Sequence, residues 1–118
     1  MPYARGMIVE YIRYEITEPE PFLLGYEAAR AALEASAHCL SYELSRCTEE
    51  PASFILRIEW DSAEGHLQGF RKSPEFVAFL GAVRPFIENI REMRHYALTS
   101  IASRKVAPVA SDRATPSE

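Results

Sequence analysis

Residues 39–60 read CLSYELSRCTEEPASFILRIEW, two alternating runs separated by a polar turn. From Cys39 to Arg46, Leu40, Tyr42 and Leu44 fall on one face and Ser41, Glu43 and Ser45 on the other. From Ser53 to Trp60, Phe54, Leu56, Ile58 and Trp60 oppose Ile55, Arg57 and Glu59. A period of two marks a half-buried strand, because successive side chains point to opposite faces of a sheet. The loop CTEEPA is short, so the pair is expected as a β-hairpin.

Upstream, Phe22 to Ala37 carries Phe22, Leu23, Tyr26, Ala29, Leu33 and Ala37 at three- and four-residue spacing, which predicts a helix weakened slightly by Gly25. Residues 8–17, IVEYIRYEIT, are rich in β-branched and aromatic types and predict a strand that EPEP (18–21) stops. Downstream, Asp61 with Glu64 resembles a capping box, Ser62 is a second possible cap, and a short helix through about Arg71 should follow. Ser73 with Pro74 opens another helix, whose stripe runs through Phe76, Phe79, Leu80, Val83, Ile87 and Ile90. Pro85 lacks a backbone donor and is expected to kink or break it. Met93 to Thr99 predicts the last strand. From Ile101 to Glu118 the periodicity vanishes, which suggests a tail either disordered or packed on a partner.

Strand, helix, strand, strand, helix, strand is the split βαβ, ferredoxin-like plan: an α+β domain over residues 1–100 with a four-stranded antiparallel sheet and helices on one face. By alternation the other face should show Val9, Tyr11, Arg13, Cys39, Ser41, Glu43, Ile55, Arg57, His95 and Ala97. That mixture is too apolar for water and too polar for a monomer core, so a homodimer with sheets apposed is expected, with His95 at the interface.

At 118 residues the chain suits one domain with a real core. A net charge of −4 without a basic stripe argues against a nucleic-acid partner. MPYARGMIVEY lacks a signal peptide's apolar region, and no run approaches the roughly 18 apolar residues of a membrane span, so a cytoplasmic protein is expected. If residues 39–47 form one strand, Cys39 and Cys47 stand roughly 26 Å apart. Disulfide Cα atoms lie within about 7 Å, so free thiols are expected. No CxxC or HxxxH spacing occurs, and neither metal nor other cofactor is expected.

Trp60 is the only tryptophan, placed where a strand stops, and His66 follows one helical turn later. Trp60 reads as core on its stripe, as pocket lining, or as both; His66 reads as solvated or as a pocket residue. If the sheet opens into a cavity beside Trp60, the cap at Asp61 or Ser62 would turn His66 into it, with the rings within about 10 Å. As a pocket residue, His66 is expected to tolerate replacement by Ala within about 0.5 kcal/mol of stability. Glu10 shares parity with Ile8, Ile12 and Tyr14; buried there it is a functional candidate, and one register step away it is merely exposed. Phe70, Phe76, Phe79 and Tyr42 are candidates to line an apolar pocket. Arg71 and Arg84 could anchor an anionic substrate, and His38 reads as surface.

EWDSAEGHLQGFRKSPEFVAFLGAVRPFI (59–87), after a YEL strand and before a closing strand, resembles the antibiotic biosynthesis monooxygenase family over roughly residues 7–99. The resemblance implies a dimeric α/β barrel with a pocket between sheet and helices. Several members oxygenate aromatic phenols or quinols with O2, using neither metal nor flavin, so the protein need only desolvate, orient and deprotonate the substrate. Trp60 matches the family's strand-end Trp, and His66 stands where aromatic oxygenases often carry Tyr; its unperturbed pKa near 6.5 suits a base. Leu56 stands where those oxygenases carry Asn, a departure that bears on anthrone-type oxygenation. A heme-degrading branch uses a Trp and a His where this chain has Gly69 or Phe70 and Leu80, so heme degradation is not expected. The competing expectation is a non-catalytic domain of the same fold that binds a small ligand or a partner.

Overall fold

A computed structural model describes residues 6–105. Four strands, β1 (Ile8–Glu15), β2 (Cys39–Arg46), β3 (Ser53–Trp60) and β4 (Ile90–Ala97), form one antiparallel sheet in the order β2-β3-β1-β4. Helices α1 (Pro19–Ala35) and α2 (Pro74–Val83) complete the ferredoxin-like α+β plan. The core is a single cluster in which Ile12, Tyr14, Phe54, Leu56, Ile58 and Trp60 from the central strands meet Phe22, Tyr26, Leu33, Phe79 and Val83 from the helices.

Local chemistry sets the element ends. EPEP does not only stop β1: Pro19 sits at the first position of α1, where a missing N–H costs nothing. The helix therefore starts three residues before Phe22 and ends at Ala35. Gly25 lies where the two helices meet, since a Cβ there would stand 3.2 Å from the Ala82 carbonyl of α2 and 2.9 Å from the Phe86 ring just beyond it. The cap after β3 is Ser62, whose Oγ accepts from Gly65 N–H at 2.8 Å. Asp61 is not the cap; its carboxylate reaches His38 Nδ1 at 2.9 Å. The segment that follows is a π-helical turn (Gly65–Gly69) and a 3₁₀ turn (Phe70–Lys72). Ser73 caps α2 through Phe76 N–H, and the α-helix gives way to a 3₁₀ segment (Arg84–Asn89) at Pro85.

Two register details correct the expected faces. A bulge between Cys39 and Ser41 turns Cys39 toward the core and leaves Leu40 half exposed. In β4, Glu10 pairs with His95 and Ile8 with Ala97, so His95 and Ala97 share the helix-facing side with Glu10. The outer face instead carries Arg94 and Tyr96 beside Tyr11 and Val9. Of the tail expected from Ile101 to Glu118, residues 106–118 lie outside those described, as do residues 1–5; Arg104 reaches back to Glu59 at 3.2 Å.

Candidate functional site

The helix-facing side of the sheet closes most tightly over Phe22, Tyr14 and Phe54, and opens toward α2 into a cavity of about 180 Å³. Its walls are apolar: Ile12, Ile58, Phe70, Phe76, Phe79 and Val83. One end is polar, built by Glu10 from β1, Trp60 from β3, His66 from the π-helical turn, and Arg71.

The polar end is tightly connected. Trp60, fully buried, donates its indole N–H to Glu10 Oε1 at 3.0 Å and stacks on the His66 ring with centroids 4.5 Å apart. His66 is 3% exposed, and its Nδ1 has no hydrogen-bond partner among the described residues. Its Nε2 lies 3.2 Å from His95 Nε2 and 3.6 Å from Glu10 Oε1; His95 Nε2 lies 3.3 Å from Glu10 Oε2. The His95 side chain is 39% exposed and links the buried trio to solvent.

Burial governs protonation here. It raises the Glu10 pKa, against the opposing pull of the Trp60 hydrogen bond and of His95 and Arg71. It pushes His66 down to about 4, helped by positive charge at His95 and Arg71. A histidine held there is neutral at physiological pH, so the free-imidazole value near 6.5 does not apply to it.

Residues 7–82 match the antibiotic biosynthesis monooxygenase family, more than half of the chain. The chain belongs to that family. Bacillus subtilis strain 168 has an uncharacterized relative, YczJ, that is 30% identical over 57 residues, 48% of this chain; the match spans 60% of YczJ. Solved structures share the fold, among them the following three. A Chloroflexus aurantiacus J-10-fl protein assigned to the family superposes with a TM-score of 0.68 at 18% identity, over 86% of this chain and 100% of its own. A Bordetella bronchiseptica protein so assigned gives 0.63 at 23%, over 80% and 99%. SnoaB, a cofactor-independent oxygenase from Streptomyces nogalater, gives 0.63 at 16%, over 89% and 99%.

In this family member, Trp60, His66, Glu10, Phe70, Phe76 and Phe79 all line one cavity. Two other expected substrate contacts do not. Tyr42 belongs to a separate solvent-open groove between α1 and β2, where its hydroxyl donates to Glu34 and accepts from Arg30 at 3.2 Å. That groove is larger, about 770 Å³, but it is a solvent-open channel whose leucines alternate with Glu20, Glu27, Arg30 and Glu43, and it holds none of Glu10, Trp60 and His66. Arg84 is exposed at the start of the 3₁₀ segment, and Arg71 takes its place at the cavity, its guanidinium also 5.1 Å over the Phe76 ring. Among the residues of the polar end, His95 departs from expectation. Its expected place on the outer face is overturned by its pairing with Glu10.

Proposed function

We propose that this antibiotic biosynthesis monooxygenase family member oxygenates a single-ring phenol or quinol with O2. The observation that carries the reading is the cavity: apolar walls, an aromatic stack at Trp60, and one polar end at Glu10 and His66. A ring in the apolar part would leave its hydroxyl at the polar end, shielded from water and fixed in orientation. A volume of about 180 Å³ is scaled to one ring, since an apolar cavity of about 150 Å³ takes up benzene while drug-sized ligands need about 300 Å³ or more. A quinol supplies the electrons itself: quinol plus O2 gives hydroxyquinone plus water, with no outside reductant.

The outer face supports a homodimer. Tyr11, Arg13, Ile55 and Arg57 are only half-buried there, a mixed surface of the kind that meets a copy of itself. Both cysteines carry free thiols, which suits a reducing, cytoplasmic setting. Among the described residues no helix is long and apolar enough to cross a membrane.

Oxygen uptake by EDTA-treated protein, with one-ring hydroquinones beside tricyclic anthrones, tests the activity. Turnover above autoxidation with the one-ring compounds and none with the tricyclics is expected. No turnover above autoxidation across the panel overturns the reading. Light scattering that reports a monomer at micromolar concentration overturns the dimer.

A further inference from the structure

Glu10, His66 and His95 come from β1, the π-helical turn and β4, and one donor atom of each lies within 4.8 Å of the others. The two Nε2 atoms stand 3.2 Å apart, with Glu10 Oε2 3.3 Å from His95 and Glu10 Oε1 3.6 Å from His66. Three donors held at about 2.0–2.2 Å from a common ion, with angles between octahedral and tetrahedral, stand roughly 2.8–3.6 Å from one another. The three contacts fall within that range, with the two imidazoles facing different oxygens of the one carboxylate. The geometry points to a divalent transition-metal site, with the two Nε2 atoms and the Glu10 carboxylate on one face of the ion and the remaining positions open.

Three features of the trio support this. First, two imidazole nitrogens face each other at 3.2 Å beside one carboxylate, so a single cation would meet lone pairs from all three groups at once. Second, the Trp60 N–H holds Glu10 Oε1 at 3.0 Å, the kind of outer hydrogen bond that fixes a ligating carboxylate. Third, the donor set selects the ion. Two imidazoles with one carboxylate suit iron(II), zinc and their neighbours, whereas calcium and magnesium prefer all-oxygen shells. Arg71 lines the same cavity and opposes any cation, so a single carboxylate favours an ion that binds nitrogen strongly. His95, part exposed, provides the way in. Motif spacing hid the site because residues 10, 66 and 95 lie on three elements.

This inference goes beyond the oxygenase reading, which needs no ion; a bound cation would occupy the groups that meet the substrate hydroxyl. The test is titration of EDTA-stripped protein with CoCl2 and with ZnCl2, followed by calorimetry and by visible Co(II) absorption. One ion per chain, with micromolar or tighter affinity and ligand-field bands, is expected. His95→Ala and Glu10→Gln are each expected to weaken binding at least tenfold. Cys47→Ala, which removes a thiol on the β2–β3 loop away from the cavity, should bind as the wild type does. His95 is on an edge strand and part exposed, so His95→Ala keeps the fold testable by circular dichroism. No uptake at millimolar metal overturns the proposal, as does undiminished binding in His95→Ala or lost binding in Cys47→Ala. Metal binding is read without substrate, and oxygen uptake is read in EDTA, so either can fail alone.

Discussion

The rings of Trp60 and His66 lie nearly parallel, 4.5 Å between centroids and 28° between planes, because the π-helical turn after β3 folds His66 back over the strand end. The pair closes the polar end of the cavity, and the indole N–H of the same Trp60 holds Glu10. His66 is therefore not a residue the fold can lose cheaply. His66→Ala is expected to cost about 1–3 kcal/mol by chemical denaturation, more than a surface change, because it leaves a void against a fully buried indole. Trp60→Phe is expected to cost a similar amount, since it strips the buried Glu10 carboxylate of its only indole donor.

Tyr14 and Tyr26 share a buried hydroxyl–hydroxyl bond of 2.6 Å between β1 and α1. Either single change to Phe strands the other hydroxyl, at an expected cost of about 1–3 kcal/mol. The double change should cost clearly less than the two singles summed. A denaturation cycle over the four proteins measures that coupling; strict additivity would mean the bond contributes nothing.

How far these contacts were legible in the sequence differs strand by strand. Alternation in β3 placed Trp60 with Leu56 and Ile58, and parity in β1 placed Glu10 with Ile12 and Tyr14; both strands are central, with one face packed on the helices. β4 is an edge strand exposed along nearly its whole length, so REMRHY carries no apolar alternation to fix which face His95 takes. Cys39 turned inward for a different reason: a bulge changes parity by one residue and leaves no mark on a hydrophobic pattern. The π-helical turn was legible only as a helix, though Gly65 and Gly69, four residues apart and both against His38, were a usable sign of close approach.

The inward turn of Cys39 has a pH signature. Burial, with the Glu34 and Glu59 carboxylates adding, pushes its thiol up to about 11. At pH 9 such a thiol is about 1% thiolate, so iodoacetamide is expected to label Cys47 well before Cys39, as read by peptide mass spectrometry. The native state also holds a proton that the unfolded chain releases between about pH 9 and 11. Stability should therefore fall as pH rises through that window, and less steeply in Cys39→Ala. Equal labelling of the two cysteines would contradict the buried placement.

The position of His66 depends on a residue that never touches it. Gly69 lies directly under the His38 imidazole, and a Cβ there would run into its Nε2 and Cδ2. His38 cannot simply swing away, because Asp61 holds its Nδ1 at 2.9 Å. Alanine normally favours a helical position over glycine by about 1 kcal/mol, so crowding decides the sign. Gly69→Ala is expected to destabilise the protein by about 1–3 kcal/mol, the usual range for overpacking. It should also shift tryptophan fluorescence, since Trp60 is the only indole in the chain and stacks on the turn that Gly69 ends. His38→Ala in the same background removes the obstacle and should recover much of the loss. A Gly69→Ala protein of wild-type stability, or one that His38→Ala fails to relieve, would show that the His38–Asp61 pair does not set the place of the turn.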